Sequence, residues 1–247
     1  MLDIKINKSD SILHEIGTRW NTDKAYHKNH TYLYEGLFRK YNFSRNKKLK
    51  ILELGVSHGF SHLMWHEYFF NSTTVGVDHW ELERYYIPKY MPIKHQQAGW
   101  YTTTTPDGVE IGTKEYIENL KKNDDRFDLF VGDQCDPTVL DRVAEKYGEF
   151  DIIIDDASHQ DEKTKESFKF LFPRLKSGGL YIIEDCEHWG SKVQLKVRDD
   201  LLKYSESSPS SFKYLDDFKE IEFAELLFSK NYIEIPEDFV LGVIKKK

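Results

Sequence analysis

Lys50-Ile51-Leu52-Glu53-Leu54-Gly55-Val56-Ser57-His58-Gly59 is the stretch that decides the fold. It is a short apolar run that ends in glycines, and a strand without polar alternation is one covered on both faces. Four similar runs follow: Thr74–Asp78, Asp128–Asp133, Asp151–Asp155 and Gly179–Asp185. Helical patterns lie between them, at Ser61–Phe70, Pro137–Tyr147 and Glu162–Leu175. Pro137 suits a first helical turn, and Val139, Leu140, Val143 and Ala144 form an apolar stripe. Strands alternating with helices predict an α/β, doubly wound, mainly parallel sheet. Near the end, Tyr232–Ile235 and Phe239–Ile244 flank Pro236-Glu237-Asp238. That spacing predicts two closing strands, the last antiparallel, for seven in all.

Two segments exceed this minimal plan. Ser9–Tyr41 reads as helices around a polar loop, NTDKAYHKNH, and places a helical cap over residues 1–45. Residues 81–112 form a Tyr- and Thr-rich insertion after the second strand, and long excursions of this kind serve as lids or substrate loops. At 247 residues the chain reads as a single domain.

Composition narrows the partners. A net charge of −7 without a clustered basic patch argues against nucleic acid. Two cysteines, Cys135 and Cys186, make no disulfide framework, and the N-terminus lacks the apolar core of a signal peptide. No stretch approaches the ~18 apolar residues of a membrane span. The expectation is a cytoplasmic protein acting on a small molecule, with a homo-oligomer left open.

Ligands of open α/β sheets sit outside the carboxyl ends of the strands, near the reversal of strand order. There the first strand carries Glu53-x-Gly55-x-x-x-Gly59, which is not the dinucleotide fingerprint. A carboxylate at Glu53 suits a cofactor bearing an ammonium group better than one bearing a pyrophosphate. Asp78 ends the second strand, where it can accept from ribose hydroxyls. Asp133 and Gln134 end the third, where a carboxylate can take an adenine amino proton. Strands four and five end in Asp155-Asp156-Ala157-Ser158-His159 and Glu184-Asp185. Adjacent acids at neighbouring strand ends are costly without a cation, and oxygen ligands suit Mg²⁺ or Mn²⁺ better than zinc. His159 lies close enough to serve as a general base, and His188 as a substrate contact.

With these residues in place the chain resembles class I S-adenosylmethionine (SAM)-dependent methyltransferases. The D-D-x-S-H and E-D pair resembles the metal-dependent sugar O-methyltransferases of macrolide biosynthesis. The resemblance implies that Glu53, Gly55 and Gly59 line the methionine end, Asp78 the ribose, and Asp133 and Gln134 the adenine, with Asp155 beside them. It implies Asp156, Glu184 and Asp185 as metal ligands and His159, with Asp156, as the catalytic pair. Thr22-Asp23-Lys24 resembles the group's G-T-D-K segment near the cofactor, with Asn21 in place of the glycine. The implied acceptor is a sugar hydroxyl, on a nucleotide-linked sugar, a polysaccharide or a glycosylated natural product. A catechol is the nearest rival acceptor. A metal-dependent hydrolase or hydroxylase, or a SAM-binding module without transfer activity, are rivals of other classes.

Overall fold

The computed structural model describes residues 4–6, 8–26, 28–79, 102–104, 110–186, 218–228 and 240–247. Seven strands form one sheet: β1 (Lys50–Leu54), β2 (Thr73–Asp78), β5 (Phe127–Val131), β6 (Phe150–Asp155), β7 (Leu175–Ile183), β8 (Ile221–Phe228) and β9 (Val240–Lys246). Their order is β5-β2-β1-β6-β7-β9-β8. All pairings are parallel except those of β9, which runs antiparallel to both β7 and β8. The seven-stranded, mainly parallel sheet with an antiparallel last strand is as the sequence predicts.

Strand order reverses between β1 and β6, so the crevice outside their carboxyl ends is where a ligand belongs. Gly55 opens it. Its φ is +83°, and a Cβ there would lie 2.1 Å from the carbonyl oxygen of Asp156. Only glycine lets the turn after β1 pass this close to the turn after β6.

Two cores follow from the two faces. One packs Ile51, Ile152, Ile154 and Ile182 against two N-terminal helices, α1 (Ile12–Arg19) and α3 (His30–Lys40), and against α4 (Phe60–Tyr68), while α2 (Asp23–Tyr26) rests on α1 and α3. The other packs Leu52, Leu54, Ile153 and Ile183 against α6 (Pro137–Tyr147) and α7 (Asp161–Leu171). Local chemistry starts the helices as expected: Ser11 caps α1 by accepting from His14 N–H, and Asp136 caps α6 ahead of Pro137.

Several boundaries differ from the sequence reading. The NTDKAYHKNH segment is not simply a polar loop, because α2 forms inside it and Lys24, Lys28 and His30 are buried. The helix expected over Glu162–Leu175 ends at Leu171, where a short 3₁₀ turn (Phe172–Arg174) leads into β7. Besides the short strands inside the insertion, two larger elements escaped the sequence reading. These are α5 (Thr113–Asn123), whose buried face rests on Ile117, and β8, whose Glu222 and Glu225 obscure the strand pattern. The strand expected at Tyr232–Ile235 lies outside the described residues. So does most of the 81–112 insertion, of which β3 (Thr102–Thr104) and β4 (Glu110–Gly112) form an antiparallel pair. Among the described residues, no helix is long and apolar enough to cross a membrane.

Candidate active site at the strand-order reversal

A cavity of about 490 Å³ opens at the reversal, between the turns after β1, β2, β5, β6 and β7 and the N-terminal cap. Thr22, Gly55, Asp78, Gln134, Asp156, His159 and Asp185 line it. Asp78 organises the glycine turn, since its Oδ2 accepts from both Val56 N–H and Ser57 N–H at 2.8 Å. Gln134 joins the β5 and β6 turns. Its amide donates to Asp155 at 3.0 Å, and its carbonyl oxygen accepts from Ser158 N–H at 2.8 Å.

Asp155 and its neighbour Asp156 face opposite sides of the sheet. Asp155 points to the α7 side, fully buried, and accepts from Ser167 (2.7 Å), Gln134 and Tyr181. Burial pushes its pKa up to about 6, against the opposing pull of those hydrogen bonds. It lies behind the cavity and reaches it only through Gln134. Asp156, one residue on, points to the cap.

Glu184 is likewise on the cap side and is sealed from the cavity. Its Oε1 accepts from Tyr34 OH at 2.6 Å and pairs with Lys24 at 2.7 Å, and its Oε2 faces His30 Nδ1 at 3.2 Å. Lys24 is itself buried and bonds Asp156 as well. Lys24 therefore serves the acids rather than lining the cavity. Burial opposes its charge, yet Asp156 and Glu184 together hold its pKa above the ordinary lysine value. In this coupled pair Glu184 keeps its charge, while burial and Glu184 force the Asp156 carboxyl upward.

Glu53 also departs from expectation. It faces α4, where Trp65 Nε1–H donates to it at 3.0 Å and His62 Nδ1 lies 3.1 Å away. Alternation along β1 turns it under the sheet, away from the cavity. Gly59, with φ +90°, serves as the N-cap of α4. Asp133 sits at the rim, paired to Lys163 with His79 3.4 Å away, and is not among the lining residues.

Among the described residues, Asp156, His159 and Asp185 form a cation-binding candidate on the wall, their donor atoms within 4.8 Å of one another. His159 Nε2 is 3.3 Å from Asp185 Oδ2 and 3.8 Å from Asp156 Oδ1. Its Nδ1 is buried with no hydrogen-bond partner among the described residues. Burial lowers the His159 pKa and keeps the ring neutral near pH 7. Burial would raise the Asp185 carboxyl, but Lys28 and His159 outweigh it and hold it at about 2. Two carboxyl groups flanking a neutral imidazole are a donor set that fits a divalent cation, whose charge would favour the ionised form of Asp156.

The sequence reading missed Lys28, Tyr34 and His30, which support the acids from the cap. Their only sequence signal is a polar segment too rich in Lys and His for a simple loop. Asn21, standing where the resemblance expects glycine, has φ +58°, as do Ser57, His159 and Asp185 at +49° to +55°. Asn tolerates the left-handed region, so the substitution keeps the turn. Non-glycine residues in this region cluster at functional sites. His188 lies outside the described residues.

The methyltransferase domain family matches residues 52–186. This chain belongs to that family. It is 33% identical over 152 residues to mycinamicin VI 2''-O-methyltransferase of Micromonospora griseorubida, a match covering 62% of this chain and 30% of that one. It is 32% identical, with the same coverage, to demethylmacrocin O-methyltransferase of Streptomyces fradiae. The MycE methyltransferase of the mycinamycin biosynthetic pathway, solved in complex with Mg and SAH, superposes with a TM-score of 0.60 at 25% identity. That likeness covers 95% of this chain and 54% of MycE. The chain thus spans under a third of the curated relatives it matches and about half of MycE.

Proposed function

We propose that this methyltransferase is a SAM- and divalent-metal-dependent O-methyltransferase whose acceptor is a sugar hydroxyl. One observation carries this reading. The Asp78-organised glycine turn and the Asp156–His159–Asp185 cluster open into the same cavity. The sugar preference rests on the likeness to the macrolide enzymes.

When bound, SAM supplies an electrophilic methyl on its sulfonium. When bound by Asp156 and Asp185, Mg²⁺ or Mn²⁺ supplies a charge that makes a nearby hydroxyl more acidic. The protein's own residues do the rest. Asp78 offers carboxylate oxygen to ribose hydroxyls at the end of β2. Thr22, Gly55 and Gln134 shape the remaining cofactor wall. Glu184 stands behind Asp156, holding it through Lys24. His159, neutral at its position, accepts the acceptor proton. The 81–112 insertion is assigned here as the lid or substrate loop.

The cofactor half of this reading is tested by heat. S-adenosylhomocysteine should raise the melting temperature, because a ligand of the native state alone stabilises it. Asp78→Ala should remove most of that rise. A shift with NAD and none with S-adenosylhomocysteine would overturn the assignment.

The base is tested by rate. His159→Ala should slow turnover by about 10²–10⁴, the usual contribution of general-base catalysis. Turnover of the unsubstituted protein should rise with pH through an ionisation below the ordinary histidine value, because protonation removes the base. The variant should lose that limb while binding S-adenosylhomocysteine normally. Near-intact turnover would show His159 to be structural.

A further inference from the structure

The acids of the cavity floor face two lysines of the cap, and the two lysines differ in freedom. Lys24 is 1% exposed and wedged between Asp156 and Glu184. Lys28 lies at the cavity wall, 10% exposed, with its ammonium 2.6 Å from Asp185 Oδ1. A second seat is near it. Asp23, whose side chain is 47% exposed, stands 3.7 Å from the same ammonium.

The carboxylates divide their oxygens accordingly. Asp156 gives Oδ2 to Lys24 and turns Oδ1 toward His159. Asp185 gives Oδ1 to Lys28 and turns Oδ2 toward His159. Four acidic side chains (Asp23, Asp156, Glu184 and Asp185) face two ammonium groups, so acids outnumber the lysines set against them.

The geometry points to Lys28 as the residue that sets the affinity of this site for its divalent cation. It is a resident cation that steadies Asp185 and yields it by moving toward Asp23. This rests on the metal-dependent reading above. Like charges sharing one carboxylate in a partly buried site repel strongly, so an ammonium at Asp185 weakens the hold on a second cation there. Lys24 yields far less readily, because it holds both Asp156 and the fully buried Glu184, which would be left with Lys28 at 3.8 Å as its cation and with His30. Lys24 is structural and Lys28 is adjustable.

Mn²⁺ affinity, read by electron paramagnetic resonance on the full chain without cofactor, tests this. The unsubstituted protein is compared with Lys28→Met, Lys28→Arg and Asp185→Asn, using the melting shift with S-adenosylhomocysteine to check folding. Lys28→Met should bind Mn²⁺ tighter, by roughly tenfold or more on the strength of the lost repulsion. Lys28→Arg should stay near the unsubstituted value, and Asp185→Asn should bind much more weakly. If Lys28→Met fails the folding check, Lys28→Gln, which keeps a hydrogen-bond donor without the charge, is judged by the same criterion. Unchanged or weaker binding in the charge-removing variant, with Asp185 still required, overturns the inference and leaves the metal site standing. Mn²⁺ binding that ignores Asp185, or no binding by any of the proteins, overturns the metal-dependent reading and this inference with it.

Discussion

Treatment with EDTA should bring methyl transfer close to the background rate, and added Mg²⁺ or Mn²⁺ should restore it. The melting shift with S-adenosylhomocysteine should survive the chelator, since Asp78, Gly55 and Gln134, the proposed cofactor wall, stand apart from the Asp156–His159–Asp185 cluster. Asp156→Asn and Asp185→Asn each keep the side-chain shape and replace the carboxyl group that faces His159 with an amide. Each should cost about 10³ in turnover, because a catalytic metal supplies several kcal/mol and about 1.4 kcal/mol is tenfold. The measurement is initial rate against free metal concentration for the three proteins. Full turnover in chelated protein would remove the metal from the reaction and leave the acids a structural role.

Glu184→Ala should damage the fold more than any change on the cavity wall. Glu184 is fully buried and receives Tyr34, Lys24 and His30 together. Removing it leaves Lys24 buried beside Asp156 alone, and breaking a buried ion pair from one side costs about 3–5 kcal/mol. Urea unfolding should show that loss as a lower midpoint, whereas Asp185→Ala, on the partly exposed wall, should shift it far less. The effect should depend on pH. Burial alone would raise the Glu184 pKa, but Lys24 and then His30 outweigh it and hold the carboxyl well below the ordinary range. A carboxylate lowered in the folded state adds stability above its unfolded pKa of about 4.3, and that stability is lost as the pH falls below it. The gap between the unsubstituted protein and Glu184→Ala should therefore be widest near neutrality and narrow in acid. A gap independent of pH would mean that lost packing, not lost charge, accounts for the destabilisation.

These two expectations separate residues that stand side by side in the sequence. Asp155-Asp156 and Glu184-Asp185 read as two equivalent acidic pairs, and the cost of burying adjacent carboxylates is the reason the sequence suggests a bound divalent metal. Strand periodicity then sends Asp155 toward Ser167 and Tyr181, and sends Asp156 and Glu184 toward the cap. The compensating charge inside the fold is in large part lysine, from a segment 130 to 160 residues distant in the chain.

What the sequence determined by itself is the sheet and the place of the site. Continuous apolar runs separated by helical stripes admit one architecture, a parallel sheet covered on both faces, and that architecture puts the ends of its strands around one crevice. Gly55, Asp78, Asp156, His159 and Asp185 were legible there because strand-end position is a one-dimensional property. Which side of the sheet each residue faces, and what meets it there, was decided only by tertiary structure. Glu53 answers Trp65 and His62, Asp155 answers Gln134 and Ser167, and Lys24 and Lys28 answer acids far along the chain. The physical reason is that a buried charge takes its role from the partner that neutralises it, and that partner is chosen by packing in three dimensions rather than by spacing in one.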